Sequence, residues 1–496
     1  MKSDIFGGYK TIISLAIDTP CCSFERTLIH RGVRMAATPN LQFEHEKWSS
    51  ESVFLLAAIG GAVGLGNLWR FPFLAGQNGG GAFVLIYIGF VFLLCLPLVI
   101  AELAMGRRGR GSAITTMRTL TAEANASPFW NIIGWISVIL PLLALGYYSV
   151  VAGWSIDYVG KAALNSFENL SGDQSNTVFE TLSGSPVRVL ALHALFIAGA
   201  IFVVARGLGK GIEVLMKIMM PGLFILLIVL ALNSIFRLDI EAGLRFLFTP
   251  DFSKITIEVV LMALGQAFFS IAVGVGMLLT YGAYLPKEVP LTRAAFWIIC
   301  ADTLVALLAG IIIFPIVFSN GLDPAVGPRL IFVTLPVAFG NMPGGYLIGL
   351  LFFVMLFFAA FSTVIAMLEP AVSWLEEHKG MSRVKVTFLA GAFGWMVGIA
   401  AALSFNVLSD VRLFPGFELL ADKNIFGVVD FFVATLGIPF NSALLSLFAG
   451  WVMSRSALMD EMQVTNPVII GYMRFTLRYI APVVISVIFA QSLFGF

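Results

Sequence analysis

Apolar runs of about 18 residues or more recur roughly eleven times along this chain, near residues 64, 94, 146, 196, 225, 271, 305, 360, 395, 440 and 484. In hydrocarbon every backbone amide and carbonyl must find its partner within the segment, so runs of this length have one local solution, the α-helix. The expected fold class is therefore an all-α polytopic membrane protein. Composition agrees, because 59% of the 496 residues are hydrophobic and only 12% are charged, a balance outside that of soluble domains. The 30 basic and 29 acidic residues leave a net charge of +1. No nucleic-acid partner is implied, and membrane lipid is the only partner that composition suggests.

Short loops rich in Lys and Arg lie on the cytoplasmic side of a membrane. Arg107, Arg108, Arg110 and Arg118 follow the second run, Arg206 and Lys210 the fourth, Lys287 and Arg293 the sixth, and Lys379, Arg383 and Lys385 the eighth. Glu168, Asp173 and Glu180 follow the third. The N-terminus is thus expected inside and the C-terminus outside. Residues 1–47 read as a cytoplasmic N-terminal segment without the layout of a signal peptide, and Met35 is an alternative start. Cys21, Cys22, Cys95 and Cys300 form neither a disulfide framework nor a metal-binding spacing.

Two runs are interrupted. The first reads "AIGGAVGLGNLWRFP", Ala58 to Pro72, with glycine at 60, 61, 64 and 66, then Asn67 and Arg70. The sixth reads "GQAFFSIAVGVGMLLTYGAYL", with Gly265, Gly274, Gly276 and Gly282. Interruptions five spans apart, in segments that must cross in opposite directions, are the mark of two inverted halves with a binding site between broken helices. Within one membrane domain, 48–494, the halves fall at about 50–237 and 255–456, with an extra helix at about 473–494. The alternative is that the glycines only let helices pack closely. Asn67 and Arg70 weigh against it, since polar groups at such depth are costly unless they meet water or a partner.

At these residues the chain resembles the neurotransmitter:sodium symporter family, the amino-acid and amine transporters built on the leucine-transporter fold. "GGAVGLGNLWRFP", "QNGGGAF", "LPLVIAELAMGR", "GQAFFSIAVGVG", "DTLVALLAGIIIFP" and "FFAAFSTVIAMLEP" occur in the family's order and spacing, over about residues 45 to 494. The resemblance implies about 11 transmembrane helices in a 5+5 inverted repeat with helices 1 and 6 broken. Unwinding a helix frees carbonyls for a cation, while amides at a new helix N-terminus attract an anion.

Transferred by position, the resemblance implies a first sodium site at Ala62, Asn67, Ser270 and Asp302, completed by the substrate carboxylate. A second falls on Gly60, Val63, Ala359, Ser362 and Thr363. For Ser362 and Thr363 the bland alternative is a bond back to the preceding helical turn. Substrate contacts are implied at Ala62, Gly64, Gly66, Ala144, Tyr148, Phe269, Ser270, Ala272, Val275, Thr363 and Met367. Amine-transporting members carry an Asp where this chain has Gly64, so the substrate should bring its own carboxylate. Small Ala144, Ala272 and Val275 suit a bulky neutral side chain, aromatic or branched. Asp302 stands where chloride-dependent members carry an amide, which implies transport without chloride. The alternative for Asp302 is a protonated side chain capping a neighbouring helix.

The family's outer gate falls on Arg70 and Asp430, with Phe269 and Tyr148 as a thinner lid. Its inner gate falls on His45, where the family has Arg, and Glu377; Lys47 is a substitute for the basic partner. Glu102 is expected to serve as a structural carboxylate for the unwound part of the sixth span, and His193 as a packing residue.

No enzyme is expected, since the four histidines show no ligand spacing and no nucleophile is paired with a base. "GLGKG" lacks the spacing and hydroxyl of a phosphate-binding loop. The expected function is sodium-coupled secondary active symport of a neutral amino acid by alternating access, in a bacterial inner (plasma) membrane, with Na+, two ions, as the coupling cation. A sodium-conducting channel and an amino-acid-sensing receptor on the same scaffold are the alternatives. The particular amino acid and the oligomeric state are not legible.

Overall fold

The backbone of the computed structural model is described over residues 46–238, 240–325, 329–464 and 466–494. His45, Met35 and the rest of 1–45 lie outside the described residues. Among the described residues, nine helices are long and apolar enough to cross a membrane: Gly81–Gly109, Pro128–Ala163, Pro186–Val204, Leu208–Arg237, Leu291–Ser319, Gly345–Lys379, Arg383–Leu403, Ile425–Val452 and Pro467–Gln491. They are the second to fifth and seventh to eleventh spans. A tenth crossing is the first span, Glu51–Ala62 and Gly66–Gln77, bent by 50° at its break. The sixth span is two helices, Ile257–Ile271 and Met277–Ala283, on either side of a non-helical stretch. The crossings lie where the apolar runs predict them, and no strand occurs among the described residues beyond one bridge between Gly80 and Pro250.

Both breaks have local causes. In the first span Ser50 caps the helix start by accepting from Val53 N, and Val63 ends it with ψ of 111°, an extended conformation. In the sixth, Ala272, Gly274 and Gly276 take φ of +55°, +82° and +98°, a region that glycine enters without strain and other residues enter at a cost. Space also demands glycine at 276, where a Cβ would lie 2.3 Å from the Ser137 carbonyl oxygen.

The broken spans are enclosed by straight ones. The eighth span packs on the third and on the first, the fifth packs on the first and eighth, and the seventh lies against the first half of the first. Large apolar side chains such as Ile225, Ile228, Leu232, Phe388 and Phe393 face outward, as lipid-facing surfaces require. His193 is fully buried between the third and ninth spans, with Nδ1 3.1 Å from Ser149 Oγ and Nε2 3.1 Å from the Trp395 carbonyl. Both ring nitrogens are thus occupied by packing partners.

Candidate functional site

The breaks in the first and sixth spans face one another across buried polar groups. Asn67 sits one turn past the first break, and its Oδ1 accepts from Gly64 N at 3.1 Å, tying the loosened backbone together. Its Nδ2 donates to Ser270 Oγ at 2.9 Å and to Asp302 Oδ1 at 2.8 Å. Ser270 Oγ donates to Asp302 Oδ2 at 2.7 Å. The tyrosine hydroxyl of Tyr87 reaches Ser270 Oγ at 3.2 Å. Asn67, Ser270 and Asp302 are each at most 1% exposed. The Asp302 carboxylate and the Ser270 hydroxyl bring hard oxygens of the kind that suit a small cation together in a buried place, while Asn67 turns its amide nitrogen to them and its oxygen to Gly64 N.

A second oxygen cluster joins the first span to the eighth. Thr363 Oγ1 lies 3.5 Å from the Gly60 carbonyl, 3.1 Å from that of Val63 and 3.2 Å from that of Ala359. Ser362 Oγ donates to the same Ala359 carbonyl at 3.0 Å. The threonine hydroxyl has a single proton for three acceptors. The cluster therefore carries more lone pairs than donors, a deficit that a cation relieves and a bond back to one's own helical turn does not.

Between the clusters lies a small cavity, about 30 Å³, lined by Ala62, Gly64, Gly66, Ala144, Tyr148, Phe269, Ala272, Val275, Thr363 and Met367 together with Gly61, Leu140, Tyr147, Val433 and Ile438. Ser270 alone of the expected contacts is absent from this lining, because its side chain is turned to Asp302. Tyr148 Oη accepts from Leu65 N at 3.0 Å and is hydrogen-bonded to Thr363, and a hydroxyl so placed can turn its proton to an anion in the cavity. Gly64 is set by crowding rather than by backbone conformation: a Cβ there would lie 2.6 Å from both Thr363 Oγ1 and Tyr148 Oη.

A larger cavity of about 500 Å³ adjoins the first and shares Tyr147, Tyr148 and Phe269 with it. Arg70 and Asp430 both line this larger space. They form no ion pair here, and the Arg70 guanidinium instead stacks 4.3 Å from the centre of the Phe269 ring, a cation–π contact. Glu377 accepts from Ser112 N at 2.8 Å at the end of the bundle where Trp48 lies, while its expected partner His45 lies outside the described residues. The same end is sealed by Trp48, whose Nε1 donates to the Tyr281 carbonyl at 3.1 Å, and by Arg383, paired with buried Glu369 at 2.6 Å.

Glu102 meets the unwound stretch of the sixth span, accepting from Gly274 N at 3.1 Å and Leu279 N at 3.3 Å. Sequence reasoning misses the opposite half of this clamp. Asn441 Nδ2 donates to the Gly274 carbonyl at 2.7 Å, and Ser442 Oγ to that of Val273 at 3.0 Å. The adjacent pair "NS" inside an apolar run was the available signal. Also missed are Tyr87 and Gln266, whose Nε2 donates to the Gly66 carbonyl at 2.9 Å. Nothing in their apolar surroundings marks which span they face.

The chain matches the model of the sodium:neurotransmitter symporter family over residues 45–183 and 183–496. It is 39% identical to the sodium-dependent transporter YhdH of Bacillus subtilis, over 89% of this chain and 96% of that one. It is 30% identical to the sodium-dependent transporter MJ1319 of Methanocaldococcus jannaschii, over 90% of each. Its structure superposes on that of MhsT in complex with L-phenylalanine with a TM-score of 0.82 and 38% identity, covering 90% of this chain and all of that one. Broken first and sixth spans, two buried oxygen clusters and these likenesses agree: the chain is an integral membrane protein of the sodium:neurotransmitter symporter family, a sodium-dependent transporter and not an enzyme.

Proposed function

We propose that the protein carries a neutral amino acid with an apolar side chain, coupled to two sodium ions and without need of chloride. The single observation that carries this reading is the cavity between two oxygen clusters, with Tyr148 Oη and the loosened backbone of the first span on its wall. An amino acid held there has its carboxylate near the Tyr148 proton and the cluster of Asn67, Ser270 and Asp302, where it completes the shell of the first ion. Each solute then improves the other's site, and thermodynamic linkage makes the benefit mutual. Gly64 offers no carboxylate to an amine, so a substrate with its own carboxylate is favoured. Asp302 supplies beside the first ion the negative charge that chloride would otherwise bring.

Alternating access follows from the gates. Arg70 and Asp430 come together over the cavity when the outer side closes, while Trp48 releases the first span when the inner side opens. The N-terminus is cytoplasmic on this reading. MhsT, the structural relative, is itself named in complex with L-phenylalanine. The test is a sodium-dependent binding screen of the purified protein against the common amino acids, with choline in place of sodium as control. Binding of one or more apolar amino acids that vanishes in choline supports the reading, and the absence of any such signal overturns it. Repeating uptake with gluconate in place of chloride tests the anion: loss of most activity refutes chloride independence.

A further inference from the structure

Besides the broken spans, the small cavity is lined by Leu140 of the third span and by Val433 and Ile438 of the tenth. Val433 is 1% exposed and Ile438 4%. None of the three side chains can form a hydrogen bond. The hydrogen-bonding groups of the cavity are the hydroxyls of Tyr147, Tyr148 and Thr363 and backbone of the first and sixth spans, and the Tyr147 hydroxyl is bonded to Asp430. An amino acid therefore has partners for its main-chain atoms elsewhere, and its side chain is left to an apolar wall. At about 30 Å³ the cavity has room for one or two waters, far less than a branched or aromatic group needs. Some of the wall must give way.

The tenth span carries two π-helical stretches, and the one at Phe431–Gly437 holds Val433 of this wall, with the other at Phe448–Val452 farther along. Phe431–Gly437 is a seven-residue π-helical stretch between α-helical Ile425–Asp430 and Ile438–Leu447, and wide turns of this kind inside α-helices are frequent at functional sites. Directly beyond it the helix is fastened to the unwound sixth span through Asn441 and Ser442. At the junction, a Cβ on Gly437 would lie 2.4 Å from Leu140 Cδ1, so Leu140 occupies room that only glycine leaves. We propose that Leu140, Val433 and Ile438, with Gly437 behind Leu140, are the specificity-determining wall that selects the substrate side chain by size. A polar side chain entering this wall would leave its groups unpaired, and is rejected for that reason. The proposal rests on the amino-acid symporter reading and adds to it the element that reads the side chain.

The test uses the full-length purified chain and competition against the radiolabelled amino acid that binds it best in sodium, with alanine, valine, leucine, phenylalanine and tryptophan as competitors. Val433→Ala and Leu140→Ala enlarge the pocket and are expected to favour tryptophan over valine by about tenfold more than the wild type does, the scale of one or two methylenes in a hydrophobic pocket. Gly437→Ala drives Leu140 inward and is expected to shift the order about tenfold toward the smaller competitors. Val433→Ile, which adds one methylene, shifts it the same way and covers the case in which the alanine variants fail to fold. Measured at saturating amino acid, so that linkage to substrate affinity drops out, the sodium half-saturation of all four stays at the wild-type value, since no cation ligand is touched. Variants that bind with the wild-type rank order overturn the wall alone. A wild type that binds no amino acid in a sodium-dependent manner overturns the symporter reading, and the wall with it.

Discussion

Replacing Thr363 by valine keeps the shape of the side chain and deletes one oxygen. With no cation present that hydroxyl faces three carbonyls at 3.1 to 3.5 Å and can satisfy one of them, a hydrogen bond worth about 1 kcal/mol net. With sodium in the cluster the same oxygen turns a lone pair to the ion, a charge-assisted contact worth about 1.5–3 kcal/mol. Valine forfeits both, so the net penalty on sodium binding is the difference, about 0.5–2 kcal/mol, or roughly a two- to thirtyfold rise in sodium half-saturation. Thr363→Ser retains the oxygen and should stay near the wild type. The assay is a sodium titration of amino-acid binding at constant ionic strength with choline. Saturating amino acid is used throughout, because Thr363 also lines the cavity. A valine curve that superposes on the wild-type and serine curves would refute the assignment of this hydroxyl to a cation.

Other consequences are open to measurement. Asp302→Asn removes the negative charge bonded to Asn67 and Ser270; uptake should then fall in gluconate and recover in chloride, and a variant indifferent to chloride contradicts the role given to Asp302. Gly64→Ala places a Cβ 2.6 Å from Thr363 Oγ1 and Tyr148 Oη, an overpacking of about 1–3 kcal/mol that should weaken substrate binding roughly five- to 150-fold; an affinity equal to the wild type would show the neighbours to be free to move. Glu102→Ala leaves the amides of Gly274 and Leu279 unpaired, about 1–3 kcal/mol each, and should lower the melting temperature in detergent, with an unchanged transition counting against a clamp at this carboxylate.

The sequence by itself determines the class of the molecule and the position of its spans. A run of apolar residues in hydrocarbon has one way to satisfy its backbone, so span centres are legible without any knowledge of their neighbours. The breaks are legible for a related reason: Gly274 and Gly276, in the positive-φ region, advertise a conformation that other residues avoid. Asn67 and Glu102 also stand out, because isolated polar groups in such runs must be meeting something.

What they meet is decided only by tertiary structure. Ser270 and Asp302 are 32 positions apart and Asn67 lies 203 from Ser270, and only the packing of the first, sixth and seventh spans brings the three within hydrogen-bond reach. The same holds for Tyr87, Asn441 and Ser442, and for Val433 and Ile438, whose residue types are unremarkable in a membrane helix. Which face of a helix turns inward depends on crossing angles and on wide turns such as Phe431–Gly437, and an all-round apolar helix carries no stripe from which to read it. The placing of Arg70 and Asp430 on the wall of one cavity is likewise decided by how the first and tenth spans pack, since the two are far apart in the chain.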